Sequence, residues 1–115
     1  MSGIIYKIVP ADLWQQAEAS GTFTGAPIDI QDGYIHFSTS AQARRTAELY
    51  FHGQTDLLLV AVDDAELGDK LVYEPSRGGD LFPHLYGTLP VSAILWAKPL
   101  PLEADGNHRF PEDMQ

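Results

Sequence analysis

At 115 residues, with 44% apolar and 20% charged residues and a formal charge of -9, the chain is sized for one domain and composed to fold rather than stay disordered. Its seven Lys plus Arg are scattered and form no basic stripe, which disfavours nucleic acid and anionic membranes as partners. The absence of cysteine excludes disulfides, thiolate nucleophiles and cysteine zinc sites.

Ile4 to Val9 is a β-branched run closed by Pro10 and predicts a first strand, interrupted only by Lys7. No basic leader precedes it, and no stretch approaches the roughly 20 apolar residues of a membrane span, so a cytoplasmic protein is expected. Asp12 offers an N-cap for a helix over 13–19 that Gly21 stops, with Trp14 and Ala17 three apart and facing the sheet. Residues 20–32 show no sustained period and are expected to form a loop, either lid or pocket wall.

The stretch Asp32-Gly33-Tyr34-Ile35-His36-Phe37-Ser38-Thr39-Ser40 then predicts a turn, a short strand and the start of a helix. Strand alternation sets Ile35 and Phe37 on one face and Tyr34, His36 and Ser38 on the other. An imidazole and a hydroxyl two residues apart can hold one small ligand, and the helix N-terminus that follows adds free N–H groups. Thr39 and Gln42 have capping-box spacing for a second helix to about His52, with Ala43 and Ala47 inward and Arg44 and Arg45 outward. Asp56 to Asp63 encloses an unbroken apolar run, the mark of a central strand covered on both faces.

A helical turn over 64–69 and a strand over 70–74 ended by Pro75 are predicted next, then the flexible Ser76-Arg77-Gly78-Gly79-Asp80-Leu81. Phe82-Pro83-His84-Leu85-Tyr86-Gly87 reads as a short strand, not fully ladder-bonded at its start, and Ala93 to Ala97 as the last one. Six of the eight prolines fall from residue 75 onward, so short strands and irregular connections are expected there. The fold class is therefore α+β, with two early helices and a mostly antiparallel sheet, in a single domain over residues 1–100. Residues 101–115 are polar and acidic and are expected to be partly disordered.

Four features can converge on a site: His36 with Ser38, Glu74 at a strand end, Arg77 in the glycine-rich turn, and His84 between aromatic residues. Arg77 can grip a phosphate or carboxylate; His84 is an imidazole whose burial would need a partner. Tyr34, Tyr73 and Tyr86 could wall the pocket or belong to the core. A metal on His36, His84 and Glu74 lacks any local ligand spacing, and a Ser38-His84-Asp80 relay lacks a nucleophile elbow, so no metal is expected. A non-catalytic ligand-binding or regulatory module accounts for the same residues without chemistry.

Ile-Tyr-Lys-Ile near the start, Trp14, Gly-Tyr-Ile-His-Phe-Ser-Thr at 33–39, Tyr50-Phe51-His52-Gly53, the Leu-rich strand, Glu74 and Phe-Pro-His-Leu-Tyr-Gly at 82–87 resemble the small bacterial family called domain of unknown function 952. The resemblance covers about residues 4–98. It implies the ADP-ribosylation fold of NAD-dependent ADP-ribosyltransferases, a strongly bent and split sheet with a nucleotide-sized cleft. By that resemblance Lys7 falls near a first-strand position where many relatives have His, and His36 with Ser38 fits a second, His-x-Ser position also seen in RNA 2'-phosphotransferases. Glu74 or His84 fills the third. The implied ligand is a nucleotide or other phosphorylated small molecule, NAD among the candidates, and the implied chemistry is ADP-ribosyl or related transfer. Glu74, His36 and His84 are the expected catalytic residues, and Lys7, Tyr34, Ser38, Arg77 and Tyr86 the expected ligand contacts.

Overall fold

In the computed structural model of the chain, the N-terminal β-branched run forms strand β1 (Ile4–Pro10). Residues 3–112 and 114 are described by the structure, and the side chain of Arg77 lies outside that description. β1 lies antiparallel to β5 (Leu57–Asp63) along its whole length, from Ile4 opposite Asp63 to Pro10 opposite Leu57. With β4 (Ser38–Thr39) beside β1 and β9 (Ile94–Pro99) beside β5, these make a four-stranded antiparallel sheet in the order β4-β1-β5-β9. The apolar run in β5 is thus central, as its unbroken pattern predicts.

Helix α1 (Ala11–Ser20) packs on one face of that sheet and α3 (Ser40–Tyr50) on the other. Trp14 and Ala17 of α1 join Ile5, Val9, Val60 and Val62 in one core, while Ala43 and Ala47 of α3 join Tyr6, Ile8, Leu59 and Ala61 in the second. Alternate residues of β1 and β5 supply the two cores, which is why neither strand can carry a polar face. Pro10, not the expected Asp12, takes the N-cap position of α1, because its extended backbone starts the helix two residues earlier; Asp12 sits in the first turn, where the helix dipole favours it. Thr39 caps α3 as expected, its N–H bonded to Gln42 Oε1 at 3.0 Å, but the helix stops at Tyr50, short of His52.

The larger departure lies in residues 20–32. The expected loop contains strand β2 (Thr22–Phe23) and a third helix, α2 (Pro27–Asp32). Pro27 starts α2 where a missing N–H costs nothing, and Gly33 ends it at φ 88, donating its N–H to Asp29 O at 2.8 Å. So the fold has three α-helices before residue 51, not two.

Two smaller antiparallel sheets complete the fold. β2 pairs with β8 (Leu89–Pro90), and β3 (Ile35–His36), β7 (Leu81–Leu85) and β6 (Leu71–Pro75) lie in the order β3-β7-β6. Short 3-10 turns cover Asp64–Lys70, Arg77–Gly79 and Val91–Ala93. Phe37 lies between β3 and β4, so the chain leaves the three-stranded sheet at His36 and enters the four-stranded one at Ser38. Its N–H bonds Pro83 O at 2.9 Å, fixing the crossover to the middle of β7.

Beyond residue 100 the segment expected to be loose carries apolar anchors. Leu102 bridges to His108, His108 Nε2 lies 2.7 Å from Gln54 O, and Phe110 is buried in the second core under the Arg44 guanidinium. Among the described residues no helix is long and apolar enough to cross a membrane.

Candidate functional site

β1 sets Ile5, Lys7 and Val9 on one face, and Ile5 and Val9 are core residues, so the sequence drives a lysine inward. Lys7 is 5% exposed, and an unpaired buried ammonium is too costly to keep. The missing partner comes from α2. Asp29, 2% exposed, receives Lys7 Nζ at 2.9 Å, the Ala26 N–H at 2.8 Å and the His36 N–H at 3.1 Å, and its Oδ1 lies 2.6 Å from His36 Nδ1. Burial opposes ionisation of Asp29, but the His36 hydrogen bond and the Lys7 charge outweigh it and hold the carboxyl at about 2. For Lys7, burial prevails over Asp29 and draws its pKa below the ordinary lysine value.

His36 meets a second carboxylate on its other nitrogen, Asp32 Oδ2 at 3.0 Å from Nε2. Both acids belong to α2, so this short helix clamps the ring from two points. Directly across the strand pair, His36 of β3 stands opposite His84 of β7, their ring centroids 5.6 Å apart and edge to face. The two imidazoles, distant in sequence, border one hollow.

His84 is 3% exposed, and its Nδ1 lies 2.8 Å from Glu74 Oε1, which also accepts the Tyr86 hydroxyl at 2.7 Å. These two hydrogen bonds, Tyr86 first and His84 second, draw the Glu74 carboxyl below its ordinary value, so it is an acceptor only. An Nδ1–H donated to Glu74 leaves the lone pair of neutral His84 on Nε2, which has no hydrogen-bond partner among the described residues. Tyr34 stacks on His84 with centroids 4.1 Å apart and touches the rings of His36 and Tyr86 at 4.6 and 5.2 Å. Burial, then Asp32 and Glu74, raise the Tyr34 phenol above its usual value.

These rings open onto a cleft of about 550 Å³ between the two larger sheets, lined by Lys7, Asp32, Tyr34, His36, Ser38 and His84 and closed by Tyr6, Ile28, Tyr50, Phe51 and Phe82. Of the expected site residues, Lys7, Tyr34, His36, Ser38 and His84 share this wall. Ser38 is buried there with its Oγ 3.1 Å from Thr46 Oγ1. Glu74 and Tyr86 stand behind His84 instead of on the wall, and Tyr73 points elsewhere, donating to Asp64 at 2.9 Å. The Arg77 side chain lies outside the described residues. The serine relay does not form, since His84 Nδ1 bonds Glu74 in place of Asp80. Among the described residues no three His, Cys, Asp or Glu side chains are grouped to hold a metal ion.

Asp29 and Asp32 were not among the residues the sequence singled out. A signal was present: Pro27 at a first turn and Gly33 beyond the last mark a helix, and a lysine inside a β-branched strand demands a buried acid.

The sequence profile of a family described as "Protein of unknown function (DUF952)" matches residues 8–97. The crystal structure of protein CC0527 from Caulobacter crescentus is 45% identical and superposes with a TM-score of 0.90 over 92% of this chain and 93% of that one. The solution NMR structure of CC0527 is 46% identical, with a TM-score of 0.83 over 90% of each chain. No curated protein matches.

Proposed function

For a chain that belongs to the DUF952 family, we propose that the cleft binds a nucleotide-like small molecule by its flat ring and that His84 is the proton acceptor in a group-transfer reaction, of which ADP-ribosyl transfer from NAD is the leading form. The observation that carries this reading is His84 itself: buried, oriented by Glu74 through Nδ1, and presenting an unpartnered Nε2 to a cleft with a stacked aromatic floor. A base needs an oriented lone pair within reach of substrate, and here the orienting carboxylate and the cleft stand on opposite sides of one ring.

In the transfer, the bond between the ribose C1' and the ring nitrogen breaks, and its electron pair leaves with the ring. A new bond forms from C1' to the oxygen of an attacking hydroxyl, whose proton passes to His84 Nε2. Asp32, on the cleft wall, stabilises the positive charge that develops on the sugar. Glu74 acts through His84 and is a positioning residue. His36, with both nitrogens committed to carboxylates, holds the wall of the cleft. The likeness to the ADP-ribosylation fold is supported by a cleft between two antiparallel sheets joined directly at Phe37, with a His-x-Ser pair across that junction.

Isothermal titration with NAD, ADP-ribose and nucleoside phosphates tests the reading. Binding below millimolar concentration, lost in His84→Ala and retained with lost turnover in Glu74→Gln, is expected. Failure of all of them to bind overturns it. A non-catalytic ligand-binding module is the second reading, favoured by the full commitment of His36 to Asp29 and Asp32, and it predicts binding without turnover under any condition.

A further inference from the structure

The charges around the cleft do not suit an anion. Among the described side chains Lys7 is the only Lys or Arg on its wall, and Asp29 engages that ammonium with both carboxylate oxygens. Asp32 also lines the wall and Glu74 stands one ring behind it, and after burial both add to the upward shift of the Tyr34 phenol. The imidazoles do not reverse this balance: both ring nitrogens of His36 face carboxylates, Asp29 and Asp32, and Nδ1 of His84 faces a third, Glu74. The chain as a whole adds a field of the same sign.

The remaining lining is aromatic. Tyr6, Tyr34, Tyr50, Phe51 and Phe82 line the same cleft as Asp32. Negative ring faces next to carboxylates, in a pocket whose lysine is already paired, make an environment in which a positive ring gains both stacking and Coulomb attraction. A phosphate would meet Asp32, and among the described side chains on the wall the one Lys or Arg, Lys7, is already engaged by Asp29.

We infer that the cleft selects a planar cation, a pyridinium-type ring or a comparable N-alkylated heteroaromatic, and that the ring end of the ligand, not a phosphate, is what the site recognises. This rests on the ring-first orientation of the proposed function and narrows its ligand class. Asp32 is the specificity-determining residue: it lines the wall, carries the charge and sits at the end of α2 beside Tyr34.

The test is a titration of the intact protein with three probes: 1-methylnicotinamide, a flat cation; nicotinamide, its neutral counterpart of nearly the same shape; and AMP as the anion. The cation is expected to bind at least about tenfold more tightly than nicotinamide, with a preference that shrinks as salt is raised. Asp32→Asn is expected to lower the cation-to-neutral ratio while leaving nicotinamide binding in place; equal loss of both would reveal a merely structural role and overturn the assignment. Should that variant fail to fold, Glu74→Gln gives the same reading through the second carboxylate. Equal binding of cation and neutral ring, or tighter binding of AMP, overturns the inference. If 1-methylnicotinamide binds while NAD and ADP-ribose do not, the nucleotide reading falls and the cation preference stands. If NAD binds but the two nicotinamides are indistinguishable, the reverse holds.

Discussion

The four-stranded and the three-stranded sheet are both antiparallel, yet they are built from different chemistry. In the first, β1 and β5 pair over seven residues and bury apolar side chains on both faces, with Lys7 the one polar side chain buried among them. In the second, β3 contributes only two residues, and the register sets His36 against His84 with Val72 behind. The long ladder supplies stability, and the short one spends its pairing on holding two imidazoles side by side. A site of this kind needs a stiff neighbour, because a two-residue strand cannot fix its own geometry.

That contrast can be broken at several points. Leu59→Ala, at the heart of β5 and fully buried, is expected to cost about 3 kcal/mol in denaturant unfolding, within the range for such cavities, and to act on stability alone. Asp29→Asn joins the two regions, since it strips Lys7 and loosens His36 at once. A loss of about 3 kcal/mol is expected from the uncompensated buried lysine, together with weakened ligand binding; a variant as stable as the parent would show that the ion pair holds nothing.

The same residue gives a pH signature. Asp29 is held at about 2 in the folded chain, against about 3.9 in an unfolded one. Its carboxylate therefore adds stability that is complete above roughly pH 4 and is lost as pH falls through about 2. Acid unfolding followed by circular dichroism is expected to be less steep in Asp29→Asn. The smallest effect belongs to the outer edge of the three-stranded sheet. Tyr86, pushed up to about 12 chiefly by its bond to Glu74, is expected in Glu74→Gln to ionise closer to an ordinary tyrosine, read by ultraviolet titration, with little change in unfolding temperature.

Legibility followed the same division. β1, α1, α3 and β5 announce themselves through local signals: a β-branched run, Gly21 as a stop, the Thr39 and Gln42 capping pair, and apolar residues without interruption. His36 and His84 stood out as residue types in aromatic surroundings. Their convergence on one site was an expectation, but the strand pairing that achieves it was not legible, because the β3–β7 register joins segments 48 residues apart and nothing local fixes a register that long. α2 escaped because six residues give too little helical period to see, and with it went Asp29, the acid that ties Lys7 to His36. Phe110 was hidden in the same way, an isolated aromatic residue in a largely polar tail that finds the far side of the sheet.

The crossover at Phe37 has a mechanical meaning. One peptide plane on either side of this residue separates a cleft wall that carries an imidazole from one that carries a hydroxyl, and the anchor to Pro83 pins the junction to the strand bearing the other imidazole. The Phe37 ring at this junction is itself buried, at 2% exposure. The opposite rim carries Ile28 and Tyr50, both exposed, whereas the corner beside Phe37 is built on the buried Ser38 and His84.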